Sequence, residues 1–191
     1  MNFSNKKQLR QHFRQLRKSL TPRPTLSDSL PKISSHPWFV QATHLAFYSA
    51  SDGELDLSPL LSLALAQNKF CYLPWVNFSE NIIEFFRYED KTILQSNRFG
   101  ILEPPPLPQN KILPQQLDCV FLPLVAIDKN GCRLGMGGGY YDAAFHFCGN
   151  KTKKPILIGA GFEIQRCDTV LQDPWDLKLH GYLSENQFYT F

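Results

Sequence analysis

A glycine-rich turn lies between residues 128 and 142, directly after the most apolar stretch of the chain. Four of the eleven glycines fall within five positions, namely Gly135, Gly137, Gly138 and Gly139. Glycine allows backbone conformations with positive φ and lets N–H groups come close to a ligand. The helix predicted to follow adds partial positive charge at its start. This pattern favours the binding of phosphate oxygens.

The spacing of these glycines matches neither of two common phosphate-binding motifs. The P-loop pattern G-x-x-x-x-G-K-[ST] is absent, and the order G-x-G-x-G differs from the dinucleotide-binding fingerprint. By itself the turn could be a flexible connection between a strand and a helix. Its neighbours favour chemistry, because Arg133 can pair with a phosphate and Asp142 offers an oxygen ligand for Mg²⁺. A glycine turn flanked by a cation and a carboxylate is typical of a phosphoryl-transfer site.

Positive charge is concentrated at the start of the chain. Residues 1–27 contain seven basic residues and no acidic residue, whereas the whole chain has 20 basic and 17 acidic residues. The remaining chain therefore has 13 basic and 17 acidic residues, which is a net charge of −4. Such asymmetry favours an anionic partner at this end, which could be a nucleotide, a nucleic acid or a membrane surface.

An amphipathic helix is predicted over this basic segment. Ser4 or Asn5 can cap its start, and Thr21-Pro22 ends it. Its apolar stripe consists of Leu9, Phe13, Leu16 and Leu20. Basic residues follow the same spacing on a neighbouring face, at Lys6, Arg10, Arg14 and Arg17. These cations could converge on one anion, or they could form an ordinary solvated face.

Alternating strands and helices organise the rest of the chain. Strands are predicted at 44–49, 70–73, 82–88, 117–127 and 155–160, and helices at 56–68 and 140–147. The run at 117–127 should be central because it is nearly continuous in apolar residues, although Pro123 ends the strand near Leu122. Two β-α-β units result, which predict a Rossmann-like, three-layer α-β-α fold with a mainly parallel central sheet. Such folds bind ligands at the carboxyl ends of the strands.

Length and composition favour one domain over residues 1–191. With 43% hydrophobic and 19% charged residues, the chain can bury a core. No apolar run approaches the length of a membrane span, and the charged N-terminus is unlike a signal peptide. Five cysteines without a C-x-x-C pair and five histidines without H-x-x-x-H give no sign of a zinc site. We therefore expect a cytoplasmic protein, and we expect it to be a monomer.

The motifs occur in an order that resembles one enzyme family. The string from Arg133 to Asp142, preceded by Pro123 and by Asp128-Lys-Asn-Gly131, is similar to the signature of the 5-formyltetrahydrofolate cyclo-ligases, also called methenyltetrahydrofolate synthetases. Further similar elements are Lys6-x-x-Leu9-Arg10, the region from Tyr48-Ser49 to Gly53-Glu54, Phe99-Gly-Ile-Leu-Glu-Pro104, Gly161-Phe162 with Gln165, and Pro174-Trp-Asp176. Together these elements span nearly the whole chain.

The resemblance implies an ATP- and Mg²⁺-dependent ring closure of 5-formyltetrahydrofolate to 5,10-methenyltetrahydrofolate, with release of ADP and phosphate. In this reaction the γ-phosphoryl group is transferred to the formyl oxygen, N10 of the substrate attacks the activated carbon, and phosphate departs. No protein nucleophile is required, because positioning and charge stabilisation do most of the work. The implied substrate is this folate, with or without a polyglutamate tail.

The resemblance also implies roles for individual residues. Nucleotide binding is assigned to Lys6, Arg10, Arg133, Leu134, Gly135, Met136, Gly137, Gly138, Gly139, Tyr140 and Tyr141. Of these, Arg133 and Tyr140 are also the catalytic candidates. Mg²⁺ would be held by Asp142 and Asp176. Folate would contact Ser49, Glu54, Phe99, Met136 and Tyr140, and Glu54 would accept hydrogen bonds from the pterin amino and ring N–H groups.

Structural explanations of several of these residues remain open. Glu54 could cap the helix that follows it, Phe99 could belong to the core, and the two tyrosines could be packing residues. Asp176 could form a surface salt bridge. The chain also departs from the family at Ala143-Ala144-Phe145, where many members place an arginine, and at His180, where an aspartate is common.

Two other functions compete with this one. A family member could bind ATP and act on or sense a different small molecule, because the nucleotide motifs are stronger than the folate motifs. A nucleic-acid-binding regulatory protein is suggested by the basic helix and by 15 Phe, 7 Tyr and 3 Trp residues. However, the chain has no RNP-like or zinc-finger pattern, and its acidic remainder would repel phosphates. We therefore expect neither a nucleic acid nor a membrane as partner.

Overall fold

The structure is a computed structural model that describes residues 5–150 and 155–191. Its α-helices are α1 (Lys6–Ser19), α2 (Leu30–Ser34), α3 (Pro37–Val40), α4 (Ser58–Ala66) and α5 (Tyr140–Ala144). Its strands are β1 (His44–Ala46), β2 (Phe70–Asn77), β3 (Ile82–Tyr88), β4 (Gln95–Ser96), β5 (Leu102–Glu103), β6 (Lys111–Ile112), β7 (Cys119–Pro123), β8 (Ala126–Asp128), β9 (Arg133–Leu134), β10 (Ile156–Ala160), β11 (Arg166–Cys167), β12 (Gly181–Leu183) and β13 (Phe188–Thr190). Short 3₁₀ turns lie at Pro108–Asn110, Pro114–Gln116, His146–Asn150 and Glu163–Gln165.

Eight of the described strands form one central sheet, in the order β13-β12-β10-β7-β1-β2-β3-β6. The strands from β12 to β2 run parallel to one another, whereas β13, β3 and β6 pair antiparallel at the two edges. The chain forms β1 and β2 first and then returns to the other side of β1 with β7, so the sheet is doubly wound. This change of direction opens a crevice beyond the carboxyl ends of β1 and β7. The predicted mainly parallel central sheet is confirmed.

Helices cover both faces of this sheet, because its central strands are apolar on both sides. In β7, Phe121 faces the layer formed by α2, α3 and α4, while Val120 and Leu122 face the layer that contains α5. Phe121 stacks on Phe47 with ring centroids 5.0 Å apart. Burial of each such ring stabilises the fold by about 1.5–3 kcal/mol. The predicted three-layer arrangement is therefore confirmed.

The longest apolar run of the chain forms two strands: the first ends within one residue of the predicted end near Leu122, and the second was not predicted. β7 ends at Pro123, which has no N–H group to continue the ladder, and β8 belongs to a separate small sheet with the order β11-β8-β9. Asp128 holds this small sheet together. Its carboxylate accepts hydrogen bonds from the N–H groups of Asn130 (2.8 Å), Cys132 (3.0 Å) and Val170 (3.1 Å). The glycine turn therefore follows the hairpin β8–β9 and not the central strand.

Helix α1 packs against this small sheet. The Asn5 side chain caps α1 by accepting a hydrogen bond from the Gln8 N–H group at 3.0 Å. The alternative cap, Ser4, lies outside the described residues. Leu9 and Phe13 of the predicted apolar stripe are buried among side chains of β8 and β9. The basic face of α1 is thereby held beside the segment that follows β9.

The other predicted elements occur with shifted ends. β1 stops at Ala46, and α4 is shorter than the helix predicted for this region. β2 continues through Pro74 to Asn77, because it forms a hairpin with β3 in which Pro74 lies opposite Phe85. α5 ends at Ala144, and a 3₁₀ turn continues the predicted helix. No described helix is long and apolar enough to cross a membrane.

The five cysteines are free thiols. Cys71, Cys119 and Cys132 are buried, and Cys148 and Cys167 are partly buried. Burial raises the pKa of Cys71 to about 12 and that of Cys167 to about 11. Cys71 and Cys167 therefore have little thiolate character.

Candidate active site

Among the described residues, one large cleft lies at the carboxyl ends of the central strands, where the sheet changes direction. Its volume is about 1010 Å³, at the upper end of the usual range for ligand pockets. Every residue assigned above to nucleotide, Mg²⁺ or folate lines it: Lys6, Arg10, Ser49, Glu54, Phe99, Arg133, Leu134, Gly135, Met136, Gly137, Gly138, Gly139, Tyr140, Tyr141, Asp142 and Asp176. The fold thus brings all of these residues together, although their individual roles stay predictions.

Two sides of this cleft differ in character. We call one the glycine side; it comprises Lys6 and Arg10 of α1, residues 133–142 and residues 173–176. We call the other the Glu54 side; it comprises residues 48–54 and 97–103 together with side chains of β2 and β3.

The glycine turn forms a wall of the cleft onto which arginine side chains pack closely. Gly137 has φ +102°, a conformation that residues with a Cβ atom rarely adopt. A Cβ atom at Gly135 would lie 2.9 Å from Nη1 of Arg133, and one at Gly137 would lie 3.3 Å from Cζ of Arg10. Arg10 also donates a hydrogen bond from Nε to the Gly135 carbonyl oxygen at 2.8 Å. Two guanidinium groups therefore pack directly onto the turn, which suits this wall to an anion.

Arg133 is a buried cation in this wall. Its side chain is only 5% exposed, and its Nη2 lies 2.8 Å from Oδ1 of Asp142. Its Nε is buried and has no hydrogen-bond partner in the protein. A buried donor without a partner is costly, and an anion bound beside Arg133 would remove that cost. A ligand with oxygen acceptors would suit the guanidinium of Arg133.

Lys6 already has two protein partners. Its Nζ lies 2.7 Å from Oδ2 of Asp173 and 2.6 Å from Oδ2 of Asp176. Burial opposes the charge of Lys6, but the hydrogen bonds to both carboxylates outweigh it and raise the pKa of the amine. Burial also opposes ionisation of Asp176, yet the hydrogen bond from Lys6 leaves the pKa of that carboxyl lowered. The salt bridge considered for Asp176 is therefore present, and it lies in the wall of the cleft.

Asp142 and Asp176 are the carboxylates with which the cleft could hold Mg²⁺. In residues 5–150 and 155–191, no group of three or more His, Cys, Asp or Glu side chains is arranged to hold a metal ion. Mg²⁺ does not require such a cage, because it is usually held by one or two carboxylates together with phosphate oxygens and water. Two partly buried carboxylates beside the glycine turn therefore fit this ion.

The basic face of α1 is not an ordinary solvated face. Lys6, Arg10 and Arg14 line the cleft, and Arg17 is buried. The four cations do not converge on one point: Lys6 binds Asp173 and Asp176, Arg10 donates to the Gly135 carbonyl oxygen, and Arg14 and Arg17 share the Asp52 carboxylate. Arg14 binds Asp52 at 2.9 Å.

Glu54 is a buried carboxylate on the other side of the cleft. Its side chain is 11% exposed, and its Oε2 accepts a hydrogen bond from the Ser51 N–H group at 3.0 Å. Burial raises the pKa of Glu54, although the Ser51 hydrogen bond and the charge of Arg17 act in the opposite direction. Glu54 does not cap α4, because the N–H group of Ser58 donates to Asp56 instead. The capping interpretation of Glu54 is therefore wrong.

Exposed apolar side chains line the cleft on both of its sides. Phe99 is 64% exposed and packs edge to face on Phe78 with ring centroids 5.5 Å apart. Phe99 is therefore not a core residue, and Met136, at 50% exposed, is not one either. Tyr140 and Tyr141 line the cleft and also pack against the core on the α5 face. Apolar walls of this kind suit a flat, largely apolar ligand ring.

Glu103 is a second buried carboxylate of the cleft, and the sequence reasoning gave it no role. It accepts hydrogen bonds from Nδ2 of Asn97 at 2.7 Å and from the Val76 N–H group at 3.2 Å. Asn97 in turn accepts from the Phe99 N–H group at 2.8 Å. The pair therefore fixes the loop that carries Phe99. The only feature of the sequence that pointed to Glu103 was its place as the acidic residue in the motif that begins at Phe99.

Asp173 and Trp175 also line the cleft without having been assigned a role. Asp173 shares the Lys6 ammonium with Asp176, and Trp175 is 71% exposed. The only feature of the sequence that pointed to a shared role was the separation of the two aspartates by three positions. Their common partner lies more than 160 residues away along the chain, so the contact itself could not be predicted.

A doubly wound sheet with a glycine-rich turn and a partly apolar cleft at its switch point is typical of small-molecule enzymes of the α/β class. A model of the 5-formyltetrahydrofolate cyclo-ligase family matches residues 2–184. The chain therefore belongs to the 5-formyltetrahydrofolate cyclo-ligase family, which confirms the resemblance seen in the motifs. It is a ligase of folate metabolism, and the activity of its family converts 5-formyltetrahydrofolate to the methenyl form.

Relatives that match over nearly their full length support this assignment. The chain is 34% identical over 188 residues to the 5-formyltetrahydrofolate cyclo-ligase of Haemophilus influenzae, covering 96% of this chain and 99% of the relative. It is 32% identical over 184 residues to that of Escherichia coli K12, covering 94% and 100%. The solved structure of a 5,10-methenyltetrahydrofolate synthetase from Aquifex aeolicus matches with a TM-score of 0.81 at 29% identity, covering 97% of this chain and 92% of that one.

Proposed function

We propose that this enzyme closes 5-formyltetrahydrofolate to 5,10-methenyltetrahydrofolate with ATP and Mg²⁺, releasing ADP and phosphate. The observation that carries the proposal is the composition of one cleft. Its glycine side contains a buried guanidinium whose Nε has no partner. Its Glu54 side combines a buried carboxylate with exposed apolar side chains. The first suits a triphosphate and the second suits a pterin ring.

The chemistry explains why a phosphate site and a folate site share one cleft. The formyl oxygen is a poor leaving group, so it first takes the γ-phosphoryl group, and the bond from that phosphorus to the ADP oxygen breaks. N10 of the folate then attacks the formyl carbon and loses its proton, and the carbon–oxygen bond breaks to release phosphate. Both steps occur within the bound pair of substrates. The protein therefore contributes orientation and charge stabilisation rather than a nucleophile.

On the glycine side, Arg133 would stabilise the transferring phosphoryl group through its guanidinium. Arg10, which packs onto the turn, and Lys6 would bind the phosphates of ATP, and the backbone of residues 134–141 would surround the nucleotide. Asp142 and Asp176 would hold Mg²⁺, which when bound neutralises phosphate charge. Because Lys6 and Arg133 are now paired with carboxylates, both cations would exchange these partners for phosphate oxygens.

On the Glu54 side, the fixed carboxylate of Glu54 would accept hydrogen bonds from the pterin amino and ring N–H groups. Phe99, Met136 and Tyr140 would form the walls against the ring and the formyl group, and Ser49 would contact the folate. Tyr140 belongs to both groups of residues, because it starts α5 directly after the glycine turn. It would therefore lie where the phosphoryl group meets the formyl oxygen.

An absorbance assay tests the proposal. Purified protein is mixed with ATP, Mg²⁺ and 5-formyltetrahydrofolate, and the near-ultraviolet absorbance of the methenyl product is followed. We expect a rise that requires all three components and is lost in Arg133→Ala. No rise, with ATP binding intact, would reject the reaction and favour a family member that acts on another small molecule. Loss of ATP binding altogether would reject the nucleotide site.

A further inference from the structure

Arg17 is a buried arginine that the proposed reaction does not use. Its side chain is 1% exposed, although it lies on the basic face of α1. Its Nη1 donates to the Leu124 carbonyl oxygen at 3.3 Å, and its Nη2 donates to the carbonyl oxygen and the Oδ2 atom of Asp52 at 3.0 and 2.9 Å. Its Nη1 also lies 3.8 Å from Oε1 of Glu54. One side chain therefore joins α1, the end of β7 and the turn before Glu54.

We propose that Arg17 is a positioning residue for folate binding, which orients Glu54 and supplies its counter-charge. The proposal rests on the proposed function, in which Glu54 accepts hydrogen bonds from the pterin. Arg17 itself would not touch the substrate. It would act through the turn at residues 51–54 and through the charge that it places against the Glu54 carboxylate.

The orientation of Glu54 depends on the turn that precedes it. The Glu54 N–H group donates to the Ser51 carbonyl oxygen at 2.8 Å, and the Glu54 carboxylate accepts from the Ser51 N–H group. Arg17 holds the residue between them, Asp52, by both its carbonyl oxygen and its carboxylate. Loss of Arg17 would therefore remove the hydrogen bond that holds the Asp52 carbonyl oxygen, while Arg14 and Lys18 would still bind the Asp52 carboxylate.

The charge of Glu54 depends on Arg17 as well. Glu54 faces Arg17 from α1 and Asp52 from its own turn, together with the neutral hydroxyl groups of Tyr48, after β1, and Tyr141, in α5. Arg17 is the cation that pairs with Glu54, whereas the guanidinium of Arg23 packs against the neighbouring Gly53. A buried carboxylate that loses its counter-charge becomes easier to protonate. Without Arg17, the pKa of Glu54 should therefore rise, and Glu54 should lose its acceptor character at a higher pH.

Arg14 and Lys18 provide a control for the charge of the turn, because both also bind Asp52. Lys18 is 52% exposed, and its Nζ lies 2.5 Å from Asp52 Oδ1. No ion pair joins Lys18 to Glu54 within the part of the chain that the structure describes. Lys18→Met therefore removes a cation from the turn without removing the counter-charge of Glu54.

The experiment compares Arg17→Met, Arg17→Lys, Glu54→Gln and Lys18→Met. For each variant, KM for 5-formyltetrahydrofolate and KM for ATP are measured from pH 5.5 to 8.5, and folding is checked by circular dichroism. In Arg17→Met we expect KM for the folate to rise about tenfold at pH 7, the value of one charged hydrogen bond, with KM for ATP within twofold of wild type. Its loss of folate affinity at acid pH should begin at a higher pH than in wild type. Lys18→Met should match wild type.

Arg17→Lys keeps the test decisive if Arg17→Met does not fold. Lysine retains the charge but cannot place one nitrogen on Leu124 and another on Asp52, as Arg17 does. KM for the folate should therefore rise about threefold, while the loss of affinity at acid pH should begin at the same pH as in wild type. Suppose that KM for the folate rises in Glu54→Gln but stays at the wild-type value in both Arg17 variants. This result would overturn the role of Arg17 and leave the folate assignment of Glu54 intact. Wild-type KM in Glu54→Gln would overturn the folate assignment of Glu54 and the role of Arg17 with it.

Discussion

The two sides of the cleft balance their charges in different ways. On the glycine side, cations and carboxylates of the site itself neutralise each other, since Lys6 binds Asp173 and Asp176 and Arg133 binds Asp142. On the Glu54 side, the hydrogen-bond acceptor is the buried carboxylate of Glu54. Its counter-charge is the guanidinium of Arg17, which is buried and does not line the cleft. The first arrangement has to change partners when a charged ligand enters. The second is already fixed before the ligand arrives.

This difference separates rate from affinity. Where partners are exchanged, the gain from each new ion pair is offset by the loss of an old one, so the side chains act mainly on charge that develops during the reaction. Where the acceptor is fixed in advance, each hydrogen bond to the ligand contributes to affinity. We therefore expect substitutions on the glycine side to change kcat and substitutions near Glu54 to change KM for the folate.

The largest effect should come from Arg133→Ala. We expect kcat to fall by about 10² or more, because a buried guanidinium beside the transferring phosphoryl group stabilises its charge. KM for the folate should change little. Steady-state kinetics with Arg166→Ala as control, an arginine that pairs with Glu163 instead, would measure this. A kcat near that of wild type would show that Arg133 takes no part in the reaction, and the proposed difference between the two sides of the cleft would then be wrong.

A smaller effect, on the other side, is expected from Glu54→Ala. KM for 5-formyltetrahydrofolate should rise about 10- to 100-fold, because one fixed, charged acceptor is lost for two donors of the pterin. KM for ATP and kcat at saturating folate should stay close to wild type. Glu80→Ala, at an exposed position, serves as the control. If KM for ATP rose selectively, the division of the cleft into two sides would be wrong.

The smallest effect should come from Asp173→Asn. This variant tests whether Lys6 exchanges its carboxylate partners for phosphate oxygens when ATP binds. Lys6 would then be held by Asp176 alone and would be freer to bind a phosphate. We expect ATP to bind about two- to fivefold more tightly without Mg²⁺, in line with the modest value of a partly exposed ion pair. Calorimetric titration in the presence of a chelator would measure this, with Asp168→Asn as control. Unchanged or weaker binding would show that Asp173 does not compete with phosphate for Lys6.

The sequence predicts those parts of the molecule whose signal is local. The apolar run around β7 and the alternation of strands and helices predict the central sheet, because buried parallel strands are apolar on both faces. The glycine turn with Arg133 and Asp142 is visible for the same reason, since its residues lie within ten positions of one another. The hairpin β8–β9 is not visible, because the residues around Pro123 are as apolar on one side of the break as on the other.

The features of the site that the sequence does not predict are contacts between segments far apart in the chain. Arg17 has the same spacing as Lys6, Arg10 and Arg14 in the sequence, yet only Arg17 is buried. Its burial depends on the turn at Asp52, which lies 35 residues away. The partner of Lys6, Asp173, lies 167 residues away. Such pairs result from the packing of α1 on the small sheet, which no pattern within α1 predicts.

The placement of the cysteines has a practical consequence. All five lie in the described parts of the chain, and none of them lines the cleft. Alkylating reagents and mild oxidants should therefore spare turnover until they unfold the protein. A cysteine introduced at an exposed cleft position such as Trp175, which is 71% exposed, would be open to a thiol-reactive fluorophore, and the attached fluorophore would report on ligand binding.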